Sequence, residues 1–165
     1  MNGPATSAGP ANKPLMRPIK FTATIIIDAA VEQVFDYTQD YSRRLSWDTF
    51  LKRAVLTGGA LQAGKGVQAY CVARNGLGMT TEYISYRRPK VTAVRMTRGP
   101  WLFRSFYASW TFHPLAQGQT EVLFLYAFSL RLPLLPAAYL VRGLLLRHVQ
   151  QRLRDLKTSL EAAGN

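Results

Sequence analysis

Phe103-Arg-Ser-Phe-Tyr-Ala-Ser-Trp-Thr-Phe-His113 and Thr120-Glu-Val-Leu-Phe-Leu-Tyr-Ala-Phe-Ser-Leu130 flank Pro114 and a turn near Gly118. Both runs are rich in aromatic and β-favouring residues, and in an extended chain successive side chains point to opposite faces. Phe106, Ala108, Trp110 and Phe112 therefore share one face of the first run. Val122, Phe124, Tyr126 and Phe128 share one face of the second. The pair reads as an antiparallel hairpin with these two aromatic faces turned inward.

Upstream, the same logic finds five more strands. Lys20 to Ile27 is β-branched and apolar. Phe50 to Thr57 stops at Gly58-Gly59, and Gly66 to Arg74 stops at Asn75-Gly76, a strong hairpin turn. Met79 to Tyr86 ends at Arg88-Pro89, and Val91 to Thr97 ends at Gly99-Pro100. Between the first two strands, Val31, Val34 and Phe35 have helical spacing to about Tyr37, with Asp28 as cap. A second short helix carries Tyr41, Leu45 and Trp47, with Asp40 as its cap. Asp36 also reads as a helix-start residue. Downstream, about Pro136 to Ala162 is one long helix, with Pro136 in its first turn. Its apolar stripe is Val141, Leu145, Val149, Leu153, Leu156 and Leu160. One helix laid across an open, twisted sheet fills the concavity poorly, so a cavity is expected between them.

The chain has 165 residues, of which 48% are hydrophobic and 12% aromatic. Those are globular values, sufficient for one core without disulfide or metal staples. The single cysteine, Cys71, excludes an internal disulfide. It reads as a small buried apolar residue, since a nucleophile needs a neighbouring base that the sequence does not nominate. A reducing, cytoplasmic setting is expected. Met1 to Pro18 has no apolar run, so it is not a secretory signal. It is expected to be a disordered tail, leaving 19–163 as one ligand-binding domain. Leu130 to Leu146 is the most apolar stretch, but Arg131, Pro133, Pro136 and Arg142 interrupt it, which argues against a membrane span. The net charge is +12, from 21 Lys and Arg against 9 Asp and Glu. Such a balance favours anionic partners, and equally describes an Arg-rich surface. The charge is dispersed rather than in blocks, so no specific nucleic-acid partner is expected.

Ile27-Asp-Ala-Ala-Val-Glu-Gln-Val-Phe35-Asp-Tyr-Thr-Gln-Asp40 followed by Leu45-Ser-Trp47-Asp-Thr-Phe50 resembles the opening of the SRPBCC, or START-like, superfamily. Gly64-Lys-Gly66, Tyr86-Arg-Arg-Pro89, Trp110-Thr-Phe112-His-Pro114 and Thr120-Glu-Val122 continue the resemblance in order, over roughly residues 20 to 162. Within that group the chain is most similar to the polyketide cyclase/dehydrase family. The resemblance implies a helix-grip fold of class α+β. Such a fold has a curved antiparallel sheet of about seven strands, two short helices after the first strand, and a long C-terminal helix covering a cavity. This chain departs from many members in having Ala29-Ala30 where they carry Pro. The family has no single catalytic signature, so no catalytic residue is carried over.

The expected ligand-binding residues follow from the inward faces. They are Tyr83, Phe106, Trp110, Phe124, Tyr126 and Phe128 from the strands, and Val141, Leu145 and Val149 from the helix, and to them are added Arg142 and, from the loop before the hairpin, Trp101 and Phe103. The alternative is that these aromatics simply pack as core. Arg142 falls within the helix stripe, so it either snorkels to solvent or faces the cavity and meets a ligand carboxylate or phosphate. Trp101 and Phe103, flanked by Arg98 and Arg104, form a loop that either touches an anionic membrane at the cavity mouth or folds back as a lid. Glu82 and Glu121 are expected to face solvent. The only candidates for acid–base chemistry are His148, Tyr83 and Tyr126, and none pairs with a partner that makes it catalytic. No HxxxH or CxxC spacing occurs, so neither a metal nor another cofactor is expected.

Three functions compete at this level. The first is binding or carriage of a hydrophobic or amphipathic small molecule, including acidic ones, in an internal cavity. The second is a cyclase- or dehydratase-like enzyme. The third is a protein-interaction module with a filled interior.

Overall fold

The computed structural model describes residues 17–163. Apart from Arg17 and Pro18, the tail expected over 1–18 lies outside the described residues. Seven strands form one antiparallel sheet. They are β1 (Ile19–Ile27), β2 (Leu51–Leu56), β3 (Gln68–Ala73), β4 (Gly78–Arg87), β5 (Val91–Arg98), β6 (Phe103–Pro114) and β7 (Thr120–Leu130). Their order across the sheet is β1-β7-β6-β5-β4-β3-β2. Strands β2 to β7 are a meander, and β1 joins the far edge by pairing with β7, from Ile19 opposite Phe128 to Ile27 opposite Thr120. Two short helices, α1 (Val31–Gln39) and α2 (Arg44–Trp47), lead from one edge strand to the other. The long helix α3 (Ala138–Ala163) lies on the concave face. This is the α+β helix-grip arrangement.

Hairpin β6–β7 is the centre of the core, and its register explains why. Phe106 stands opposite Phe128, Ala108 opposite Tyr126, Trp110 opposite Phe124 and Phe112 opposite Val122. All eight are buried. Ring pairs such as Trp110–Phe124 at 4.4 Å and Phe106–Tyr126 at 4.7 Å meet edge to face, the arrangement aromatic quadrupoles prefer. At the β3–β4 turn, Gly76 takes φ +90°, a conformation only glycine adopts freely, and Asn75 Oδ1 accepts the Leu77 amide at 3.1 Å.

The apolar stripe of α3 divides into two parts. Val149, Leu153, Leu156 and Leu160 are buried against Val34, Phe35, Trp47 and Val122. Val141 and Leu145, nearer the helix start, are only half-buried. The sheet and the helix therefore close at one end and part at the other.

The helix starts correct several sequence readings. Asp28 does not cap α1; the N-cap is Ala30, with no side-chain cap bond, and the Asp28 amide instead donates to Glu161 Oε1 at 3.1 Å. Asp40 does not cap α2. Its Oδ1 accepts the Ser42 amide and hydroxyl within the preceding turn, and Arg43 is the N-cap residue. Asp36 lies inside α1 and forms a two-pronged pair with Arg88, both contacts at 2.7 Å. Pro136 precedes α3 rather than opening it. With Pro133 it shapes a 3-10 turn over Leu132–Ala137, because a proline has no N–H for the helical ladder.

Candidate functional site

Where α3 parts from the sheet there is a cavity of about 370 Å³. Its apolar wall comes from both sides. Phe103, Phe106, Ala108, Trp110, Phe124 and Tyr126 face it from the central hairpin, and Val141, Leu144 and Leu145 from the helix. Met79, Thr81, Tyr83, Thr92 and Val94 complete the floor from β4 and β5. The mouth lies between the β3–β4 turn and the first half of α3, where the lining residues Leu77 and Leu144 are 49% and 47% exposed.

Of the residues expected to contact a ligand, Tyr83, Phe103, Phe106, Trp110, Phe124, Tyr126, Val141 and Leu145 line this cavity, as does His148. Four do not reach it. Phe128 and Val149 are sealed in the core beneath it. Arg142 is half-buried with its guanidinium 5.9 Å from the centre of the Phe21 ring, on the β1 side of the helix. Trp101 stays outside at 64% exposure; its carbonyl accepts from Arg131 Nε at 2.6 Å, and the Arg131 guanidinium lies 5.5 Å from its ring. Glu82 is paired at the surface with Arg95 at 3.1 Å.

At the polar end of the cavity Tyr83 and Tyr126 were sequence candidates, but the charged residues Arg44, Asp48 and Arg152 were not. Asp48, fully buried, accepts through Oδ2 from Arg44 Nε at 3.0 Å, Arg152 Nη2 at 2.8 Å and Arg152 Nε at 3.1 Å. Arg44 Nη1 donates to the Thr38 carbonyl at 2.6 Å, and Arg152 Nη1 to the Tyr126 hydroxyl at 3.0 Å. Arg44 and Arg152 line the cavity, and Asp48 stands behind them. Aromatic faces hold both cations, with Arg44 4.8 Å from the Trp47 ring and Arg152 5.6 Å from the rings of Phe50 and Phe124. Beside them, Tyr83 donates its hydroxyl to Gln39 Oε1 at 2.9 Å and lies 3.2 Å from the Tyr41 hydroxyl.

Burial alone pushes the Asp48 carboxyl up, but the guanidiniums of Arg152 and Arg44 outweigh that and hold it below its ordinary value of 3.8. Burial raises the Tyr126 phenol and the Cys71 thiol. It raises Tyr83 furthest, helped by the neighbouring Tyr41. These groups stay protonated at neutral pH and serve as donors, not as bases or nucleophiles. The His148 ring packs 4.7 Å from Phe50 at the rim. Among the described residues no three His, Cys, Asp or Glu side chains are grouped to hold a metal ion, and no helix is long and apolar enough to cross a membrane.

Comparison with known proteins agrees with this architecture. A START superfamily protein of Mycobacterium smegmatis is 14% identical, with a TM-score of 0.70 over 86% of this chain and 98% of its own. A Thermus thermophilus protein is 18% identical, with a TM-score of 0.75 over 89% and 100%. The ZhuI aromatase/cyclase of Streptomyces sp. R1128 is 15% identical, with a TM-score of 0.75 over 90% and 96%. Identities this low show the fold alone. No curated protein matches the sequence significantly. Residues 18–161, nearly the whole domain, match the family described as polyketide cyclase/dehydrase and lipid transport, and the chain belongs to that family.

Proposed function

We propose that the chain binds a hydrophobic or amphipathic small molecule in the cavity beneath α3 and carries it. The observation that supports this reading is the cavity itself. Its volume of about 370 Å³ falls within the roughly 300–1,000 Å³ of small-molecule sites. Its wall is mostly aromatic and aliphatic, with a few polar groups and the two arginines Arg44 and Arg152 together at one end, in keeping with such sites. Burying apolar ligand surface contributes roughly 25 cal/mol per Å², with no catalytic group needed. A filled interior would have favoured the interaction-module reading.

Carriage also needs a route in and out. Trp101, between the lining residues Pro100 and Leu102, and Tyr139 and Leu140, just before the lining residue Val141, are exposed at 64%, 87% and 68%, and Leu132 at 71%. Arg98, Arg104 and Arg131 are exposed next to them in the sequence. Apolar and aromatic side chains among arginines suit peripheral contact with an anionic membrane, from a cytoplasmic location.

A second reading is a cyclase-like enzyme. It is favoured by Tyr83 and His148 on the cavity wall and by the fold shared with an aromatase/cyclase. Such an enzyme would hold a folded poly-ketone among donors and accelerate closure by orientation.

The test is native mass spectrometry of the purified protein, followed by organic extraction and identification of whatever co-purifies. A stoichiometric apolar molecule is the expected result. A protein that retains nothing and binds none of a panel of fatty acids, lipids and aromatic polyketides would overturn the binding reading. Turnover of a polyketide, lost in Tyr83→Phe, would favour the enzyme.

A further inference from the structure

The cavity's polar end carries an unbalanced charge. Two guanidiniums, those of Arg44 and Arg152, face one carboxylate, that of Asp48. Among the described residues no Asp or Glu lines the cavity, and the nearby Tyr83, Tyr126 and Cys71 are neutral. The cluster therefore holds a net charge of about +1 in a low-dielectric wall, where an unpaired charge is costly.

The two cations are not equivalent. All three nitrogens of Arg152 are engaged, by Asp48 and by the Tyr126 hydroxyl. Arg44 uses Nε for Asp48 and Nη1 for the Thr38 carbonyl, and its Nη2 has no hydrogen-bond partner among the described residues. That nitrogen is not sealed in either, since the sealed unpartnered atoms are Trp47 Nε1 and Asp48 Oδ1. Arg44 is only 6% exposed, and it lines the cavity. Its side chain is fixed by Asp48, Thr38 and the flanking Trp47 and Trp110 rings, so a ligand meets a preorganised donor.

We propose that Arg44 is an anion receptor, and that the cavity takes an amphipathic molecule whose carboxylate-like anionic oxygen meets Nη2 while its apolar body fills the aromatic wall. This deepens the binding reading above and rests on it. A charge-assisted bond to a fixed guanidinium is among the stronger hydrogen bonds, and here it also offsets the surplus charge. The position differs from the one the sequence nominated, because Arg142 lies on the β1 side of the helix.

The test compares two fluorescent probes that share an apolar body. 1-Anilinonaphthalene-8-sulfonate is anionic, and N-phenyl-1-naphthylamine lacks the sulfonate. At physiological salt, wild type is expected to favour the anionic probe by about tenfold or more, as a charge-assisted bond allows. In Arg44→Gln the preference should vanish while the neutral probe still binds. Arg152 continues to compensate Asp48 in that variant, so no buried carboxylate is left alone. Should Arg44→Gln not fold, Arg44→Met, which keeps the stem's packing between the Trp47 and Trp110 rings and leaves Asp48 paired with Arg152, is expected to lose the preference in the same way. Lys52→Gln, an exposed charge on β2, should keep it too, which separates the cavity from the basic surface. Equal binding of both probes to wild type, or a preference that survives in Arg44→Gln or Arg44→Met, overturns the receptor while the binding reading stands. Binding of neither probe overturns both.

Discussion

Arg152 and Asp48 are 104 residues apart in the chain, and Arg152 Nη2 lies 2.8 Å from Asp48 Oδ2 in the fold. The contact ties the last helix to the residue just after α2. With Arg44 on the other side, it lets a carboxylate remain ionised with none of its surface exposed. The same three residues close the core below the cavity and supply its polar end.

Removing the carboxylate should therefore be expensive. Asp48→Ala leaves two guanidiniums confronting each other in a dry site. A loss of about 3–5 kcal/mol is expected, the range for breaking a buried ion pair from one side. Urea denaturation followed by far-UV circular dichroism measures it. A change under about 1 kcal/mol would mean that water reaches the cluster and screens it.

Acid should act through the same group. The Asp48 carboxyl is held below 3.8 in the fold and returns to about 3.8 in the unfolded chain. As pH falls, the unfolded state takes up the proton first, so the stabilisation is complete at neutral pH, starts to be lost as pH nears 3.8, and is gone only below the lower value of the folded state. Urea midpoints measured from pH 7 to pH 3 should fall in wild type. The fall should be smaller in Asp48→Asn, which has no proton to gain there.

Particular residues show how far the sequence could be read. Thr120 to Leu130 is the observed extent of β7, because its alternation is uninterrupted and Arg131 and Pro133 follow at once. The inward set of the β6–β7 hairpin was legible for the same reason, and eight of the twelve expected contact residues line the cavity. Arg142 and Val149 show the limit of a helical wheel. It places a residue on the stripe, but not on the side where the sheet has parted from the helix. Arg152 carried a usable signal. Leu145, Val149, Arg152 and Leu156 are spaced four, three and four, so a cation stands in a buried row and requires an anion. Its partner Asp48 was legible only as an i,i+4 neighbour of Arg44, a spacing that more often marks an exposed pair. Nothing local reveals that folding brings position 152 to position 48.

The divided stripe of α3 predicts two kinds of leucine. Leu156 is fully buried in the closed part of the core, whereas Leu145 is half-buried on the cavity wall. Leu156→Ala should cost about 2–5 kcal/mol, the range for truncating a packed core leucine. Leu145→Ala should cost about 1 kcal/mol or less, because the hollow beside it already forgoes part of its packing. Affinity for the neutral naphthylamine should show the reverse order, falling in Leu145→Ala and holding in Leu156→Ala. Equal stability losses would mean that the helix packs against the sheet along its whole length.

The exposed rim gives a prediction independent of the cavity's contents. Trp101 has little to lose in the fold, since its ring is mostly exposed and its carbonyl, not its side chain, accepts from Arg131. Trp101→Ala should leave the melting temperature nearly unchanged. If the rim docks on membranes, the same change should weaken sedimentation with vesicles of phosphatidylserine and phosphatidylcholine. Arg104→Gln should weaken it about fivefold, the equivalent of about 1 kcal/mol per basic residue near an anionic surface. Neutral vesicles should show little binding in any variant, because dispersed arginines need an opposing charge. Binding to anionic vesicles that neither substitution alters would remove the rim from the docking surface and leave the net charge of +12 as the sole attraction.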